Sequence, residues 1–297
     1  DRVRLPHDLL NLHGMEFYGR YSALKAGLVY ADAITTVSPT YANEILTPTY
    51  GDGLDGTLKA VRHKLFGVLN GVDYNEWSPS IDPYIHTHYD LHSIDQKLYN
   101  KLALQRENGL PESPEAPVFG VVSRLTEQKG LDLIPDAIEC ALEKGAMFIL
   151  LGSGDKALEQ QYLALQERYP DQISIRIGYD EAYSHRLQAG IDMLLIPSRF
   201  EPCGLTQLYA LKYGTLPIVR STGGLADTVF EEGQHANGFV FQHANTEDLK
   251  SAIERSLIAF NDLEGWRIKQ IQAMSQDHSW DRATATWINL YQSLLNA

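Results

Sequence analysis

The chain has 297 residues, 44% hydrophobic and 21% charged, an ordinary globular composition with length for one large or two medium cores. Its formal charge of −13 excludes a general nucleic-acid or anionic-membrane surface, so an anionic ligand needs a local cationic pocket against that background. Cys140 and Cys203 are the two cysteines and make neither a disulfide framework nor a metal-spacing pattern, which fits a reducing compartment, and no apolar run approaches the roughly 20 residues that span a bilayer.

The chain opens on "DRVRLPHDLL", neither an initiator methionine nor a signal peptide, and is expected to start inside something longer. "SALKAGLVYA" (22–31) has a helical pattern, "AITTVS" (33–38) is a strand, Pro39 opens a helix, and "LFGVLN" (65–70) is another strand. Two strands do not make a stable doubly wound domain, so residues 1–73 are expected to be the end of a truncated α/β domain. Residues 74–116, rich in Tyr, His, Pro and Asp, are expected to be a linker or hinge region holding one helix, "SIDQKLYNKLALQRENGL" (93–110).

From Pro117 the rhythm becomes regular. Strand-like runs "VFGVVSRL", "AMFILLGSG", "ISIRIGY", "IDMLLIPS", "LPIVR" and "GFVFQ" alternate with helix-period segments, the last being "TEDLKSAIERSLIAF". Nearly continuous Val, Ile and Leu in the strands predicts a parallel sheet covered on both faces, hence a doubly wound α/β domain over 117–275. The tail 276–297 carries the amphipathic "SWDRATATWINLYQSLL" and is expected to pack back on the first part.

In doubly wound sheets ligands bind beyond the carboxyl ends of the strands, and three loops there carry chemistry. "SRLTEQKG" supplies Arg124 and Lys129; both can reach one anion, Arg bidentately and Lys as a point charge, or they are two solvated surface cations. "SRFEPCGLTQ" places the amides of Gly204, Leu205 and Thr206 at a predicted helix start, where they suit an anion or sugar hydroxyls. Glu201 in that loop can accept from sugar hydroxyls or offset positive charge on a sugar ring; it also reads as an acid favoured by the helix dipole. Cys203 has no base beside it and reads as a small loop residue rather than a nucleophile. Tyr179, after "ISIRIG", can stack on a base or belong to the core. Asn70, in "LNGVD", is most simply a turn residue, and the paired Gly223 and Gly224 are weak evidence of close approach to a ligand. The ten histidines show no metal-ligand spacing, so no metal is expected.

Taken in order, "HGMEFYGRYSALKAGLVYAD", "TVSPTYANEI", "VLNGVD", "VVSRLTEQKGLDL", "IGYDEAYSHR", "PSRFEPCGLTQLYALKYGTLPIVRSTGGLADTV" and "GFVF" resemble bacterial glycogen synthase and plant starch synthase over essentially the whole chain. The resemblance implies a GT-B fold of two Rossmann-like domains and a metal-independent, retaining transfer of glucose from ADP-glucose to the non-reducing 4-hydroxyl of an α-1,4-glucan. No cofactor is implied beyond that substrate and its product ADP; the partners implied are the nucleotide sugar and the glucan, with no nucleic acid and no membrane. It implies that Arg124 and Lys129 hold the diphosphate and that Tyr179 stacks on adenine, with the Gly178 backbone at the base edge. Glu201 with the Cys203 and Gly204 amides would hold the glucose, the Leu205 and Thr206 amides would meet the phosphates, and Asn70 would reach the glucose from the hinge side.

Bacterial cytoplasm or plastid stroma would be the compartment. The family's Lys-x-Gly-Gly-Leu donor loop and its N-terminal-domain histidine have no counterpart in this sequence: "KAGL" (25–28) is a lookalike in a helical pattern, and His13 belongs to a later motif. An inert donor-binding or assembly module is therefore one alternative. Another is a sucrose-type synthase of the same fold.

Overall fold

The computed structural model describes residues 9, 11 and 14–296; His13 lies outside the described residues. Glu16–Phe17 (β1) and Arg20–Tyr21 (β2) form a hairpin. Ala23–Tyr30 (α1) follows Ser22, whose hydroxyl accepts from the Lys25 amide as a helix N-cap does. Ile34–Thr36 (β3) leads into Pro39–Glu44 (α2), where Ser38 caps and proline pre-sets the first helical residue. Asp55–Ala60 (α3) then precedes Leu65–Gly67 (β4), which lies parallel to β3 with Ile34 opposite Leu65. The hairpin and α3 carry no run long enough to announce them in the sequence.

Residues 74–116 are built onto the second half. The Trp77 ring lies between those of His185 and Tyr209, stacked at centroid distances of 3.6 and 3.9 Å. Asp82, fully buried, accepts from Tyr213 Oη at 2.5 Å and contacts His185 Nδ1 at 2.8 Å. Burial pushes the Asp82 carboxyl up, but the His185, Tyr213 and Tyr84 hydrogen bonds outweigh it and hold the group below the usual carboxylate range. Lys97–Glu107 (α4) follows. Its Lys97 ammonium donates to the carbonyls of Gln188 and Ala189 and to Thr215 Oγ1, and burial pushes it down to about 7. Lys101 pairs with Asp192 at 2.8 Å, and Asp192 also accepts from the Val118 amide.

The second half alternates as its sequence predicts: Val118–Val122 (β5), Ile134–Leu142 (α5), Met147–Gly152 (β6), Lys156–Arg168 (α6), Ile173–Ile177 (β7), Glu181–Gly190 (α7), Met193–Ile196 (β8), Thr206–Lys212 (α8) and Leu216–Arg220 (β9). Gly223–Thr228 (α9), Phe239–Phe241 (β10), Thr246–Phe260 (α10), Leu263–Ser275 (α11) and Trp280–Leu295 (α12) complete it. The helices α9 and α11 are additions to the sequence expectation. The first is a short turn where the sequence reads as a glycine loop. The second scatters Ile268, Ile271 and Leu263 onto exposed positions, so no apolar stripe marks it.

All pairings in the six-stranded sheet are parallel, in the order β10-β9-β8-β5-β6-β7. Side-chain alternation splits each strand between two cores. Phe119, Val121, Phe148, Leu150, Met193 and Leu195 face Ile134, Ile138, Leu249 and Ile253. Val118, Ile149, Leu151 and Leu194 face Leu104, Tyr183 and Leu187. Each such aliphatic side chain, fully buried, contributes about 1.5–3 kcal/mol. The chain then returns to the first part: the Val72 amide donates to His278 O at 2.8 Å, and α12 starts beside residues 67–72. Among the described residues no helix is long and apolar enough to cross a membrane.

Candidate active site

Strand order reverses direction between β5 and β8, and at such a switch point the two following loops diverge to leave a crevice at the carboxyl edge. Gly130, at φ 66°, brings these loops together: a Cβ there would meet Pro197 O at 2.0 Å, so only glycine permits the approach. The Arg199 amide donates to Gln128 O, and the Arg199 guanidinium grips Asp132 with two bonds of 2.6 and 2.7 Å. Arg220 donates to the carbonyls of Ser198 and Arg199 from the next strand.

This scaffold sets Lys129 against Glu201, Nζ to Oε2 at 2.5 Å, although 72 residues separate them. Ser198 Oγ donates to the same oxygen at 2.9 Å. Both side chains are withdrawn from solvent, 20% exposed for Lys129 and 9% for Glu201. Glu201 Oε1 has no hydrogen-bond partner among the described residues. A buried carboxylate left without its cation is costly, so the pair holds both loops in register.

A cavity of about 60 Å³ lies here, lined by Ser123, Lys129, Glu201, Gly204, Leu205, Thr206 and Gln207 among others, and among the described residues Glu201 is its one carboxylate. The helix α8 begins at its wall without a side-chain cap, so first-turn amides remain available. Cys203 is buried behind the wall. Burial pushes its thiol up, with a hydrogen bond to the Asn70 backbone acting downward; this is an unreactive thiol in a tight loop. Through that contact Asn70 touches the loop from the first part, while its side of the molecule opens on a separate cavity of about 620 Å³ shared with α12.

The sequence candidates therefore divide. Lys129, Glu201, Gly204, Leu205 and Thr206 line one cavity, with Cys203 behind it. Arg124 is exposed in the turn after β5 and does not line the cavity. Gly178 and Tyr179 follow β7, beyond it. Tyr179 is 80% exposed and donates to Glu181 at 2.9 Å, so it is no core residue.

Several contributors are invisible to motif spacing. Gln207, fully buried, donates from Nε2 to the carbonyls of Cys203 and Gly204, both at 3.1 Å, while its Oε1 has no partner. Its signal was only its place one helical turn after Gly204. Gly223 and Gly224 pack α9 against the backbone of Glu201–Cys203; a Cβ on Gly223 would meet Glu201 O at 2.0 Å. From the first part, Glu44 Oε1 accepts from the Gly223 amide and Thr222 Oγ1, and Thr40 donates twice to Asp227. Nothing local in the sequence pairs residues about 180 apart.

Comparison with known proteins places the chain in a family. The family model for glycosyl transferases group 1 matches residues 105–263, and that for the starch synthase catalytic domain matches residues 1–60. The chain is 66% identical over 294 residues to the glycogen synthase of Marinomonas sp. strain MWYL1, covering 99% of this chain and 62% of that one. It superposes on the catalytic domain of starch synthase IV from Arabidopsis thaliana, solved with ADP and acarbose, with TM-score 0.91, 35% identity, and coverage of 98% and 62%.

A sucrose-phosphate synthase from Thermosynechococcus elongatus shares the fold alone, with TM-score 0.63, 19% identity, and coverage of 92% and 61%. The chain thus spans a little under two thirds of the relatives it matches. With a parallel α/β sheet of the GT-B type and a family model matched over more than half its length, the chain belongs to the group 1 glycosyl transferases.

Proposed function

We propose that this chain carries the donor site of a retaining glucosyltransferase that moves glucose from ADP-glucose to the non-reducing 4-hydroxyl of an α-1,4-glucan. The observation that carries it is the Lys129–Glu201 pair at the sheet's switch point, one cation and one carboxylate in a single crevice. Breaking the glucose–phosphate bond builds negative charge on the departing diphosphate and positive charge on the sugar. Lys129 and the Leu205 and Thr206 amides stabilise the first, joined by Arg124 when its exposed side chain folds in from the turn after β5; fixed charges and dipoles in a withdrawn site are the larger contribution. Glu201 Oε1 accepts from glucose hydroxyls and offsets the second, and the Cys203 and Gly204 amides help to hold that sugar. Tyr179, exposed beside Gly178, offers its ring to adenine, and Asn70 approaches the glucose from the hinge side.

Retaining glycosidases use two close carboxyl groups, one of them a nucleophile. Among the described residues only one carboxylate lines this cavity, and its Oε2 is tied to Lys129 and Ser198. That supports a same-face transfer in which the leaving phosphate takes the acceptor's proton. Trapping a glucosyl ester on Glu201 by mass spectrometry would contradict it.

The likeness to a glycogen synthase supports glucan as acceptor, and the ADP in the starch synthase IV structure supports the nucleotide. The test is transfer of labelled glucose from ADP-glucose to a maltooligosaccharide. Glu201→Gln should lower turnover more than donor affinity, whereas equal losses would reduce Glu201 to a binding group. In the same assay, binding of ADP with no transfer would mark the given residues as a donor-binding module without turnover.

A further inference from the structure

Among the described residues Lys129 and Glu201 occupy each other, and the crevice offers no second cation in its lining. We infer that this ion pair makes Glu201 a specificity-determining residue, which sets a sugar-capped nucleoside diphosphate above the bare diphosphate; the inference rests on the donor-site reading above. A bare diphosphate ends in a terminal phosphoryl group, joined only through the anhydride oxygen and carrying up to two charges at neutral pH, whereas esterification by a sugar removes one of them.

Any phosphate drawn to the Lys129 ammonium arrives beside a carboxylate only 2.5 Å from that nitrogen. The carboxylate is held in place: Ser198 Oγ bonds the same oxygen, and Arg220 fixes the Ser198 carbonyl. A bare terminal phosphate therefore competes with Glu201 for one cation and meets a like charge where the sugar would sit. With a sugar present that position is filled by hydroxyl groups, which donate to the open Oε1, and the extra phosphate charge is absent. The same pair thus disfavours the product diphosphate and accepts the substrate.

Calorimetric titration with ADP and with ADP-glucose, without acceptor, tests this on the chain. Glu201→Gln keeps a hydrogen-bonding group of the same shape but removes the charge. It should tighten ADP about tenfold while leaving ADP-glucose unchanged or weaker, and the gain should shrink in a Lys129→Gln background. Unchanged or weaker ADP binding in Glu201→Gln overturns the inference, as does a gain that persists undiminished without Lys129.

A measurement on the unmodified chain is independent of how the variants fold. ADP bearing a methyl ester on its terminal phosphate should bind at least as tightly as ADP, although it carries less charge; weaker binding of the ester overturns the inference. Failure of the unmodified chain to bind ADP at all overturns the donor-site reading itself, a different result from binding that ignores residue 201.

Discussion

Lys129 donates to Glu201 across a gap of 72 residues in sequence, and its other hydrogens remain for a ligand. Replacing Lys129 by alanine should weaken ADP by about 1.5–3 kcal/mol, the range for a charged hydrogen bond. Arg124→Ala should act in the same direction if its exposed side chain folds over a bound diphosphate; calorimetry reads both. The loops that bear these residues were legible, because strand-to-helix transitions in a doubly wound sheet mark strand ends. Their partners were not. Ser198, Gln207 and Arg220 act through hydrogen bonds to backbone or carboxylate that only the folded loop creates.

His278 makes a second prediction at this scale. Burial, with the Arg282 charge adding to it, pushes its imidazole down to about 4 from the ordinary 6.5; Asp277 acts the other way. Between pH 6.5 and 4 the unfolded chain then binds more protons at this residue than the folded one. Stability from His278 is present above 6.5 and falls as pH drops through that window, by up to about 3 kcal/mol. Denaturant titrations at several pH values should show a shallower acid loss in His278→Gln than in the unmodified chain; parallel losses would refute the assignment.

Among the elements, the stretch before β5 hides the most from a reading of its sequence. Polar composition suggested a hinge, and the one helix in it was legible from its period. What the pattern hid is the polar burial: Asp82 under His185 and Tyr213, and Lys97 on the carbonyl end of α7. Such partnerships carry no periodicity. They also make this stretch sensitive to substitution. Asp82→Ala leaves the buried Tyr213 hydroxyl and the His185 ring nitrogen without their partner and should cost about 1–3 kcal/mol for each group, read as a lower urea midpoint at unchanged slope. A total cost below about 1 kcal/mol would mean that these hydrogen bonds do not hold the stretch in place. The helix α11 escaped the sequence for a different reason: it buries Trp266, Ala273 and Met274 while exposing apolar side chains elsewhere, so its outline lacks a single face.

Across the whole molecule, the parallel sheet and a crevice at its carboxyl edge follow from alternating strand and helix, while the order β10-β9-β8-β5-β6-β7 is seen only in the folded chain. The link between the two halves does not. Thr40 and Glu44 on α2 hold Asp227 and Gly223 on α9, and α9 backs the Glu201 loop. That arrangement ties the first part mechanically to the proposed donor site, through carboxylate hydrogen bonds worth about 1.5–3 kcal/mol each. Glu44→Ala should therefore weaken ADP binding without touching the ligand, by less than Lys129→Ala does; a loss equal to that of Lys129→Ala would place Glu44 in the site itself.

The most direct measurement is titration of ADP into the unmodified chain and into Lys129→Ala, with both shown to be folded by their melting curves. One saturable site, weakened tenfold or more (about 1.4 kcal/mol) by the substitution, is the expected result. Absence of binding, or equal affinity in the two proteins, would contradict a nucleotide diphosphate site at the β5–β8 crevice.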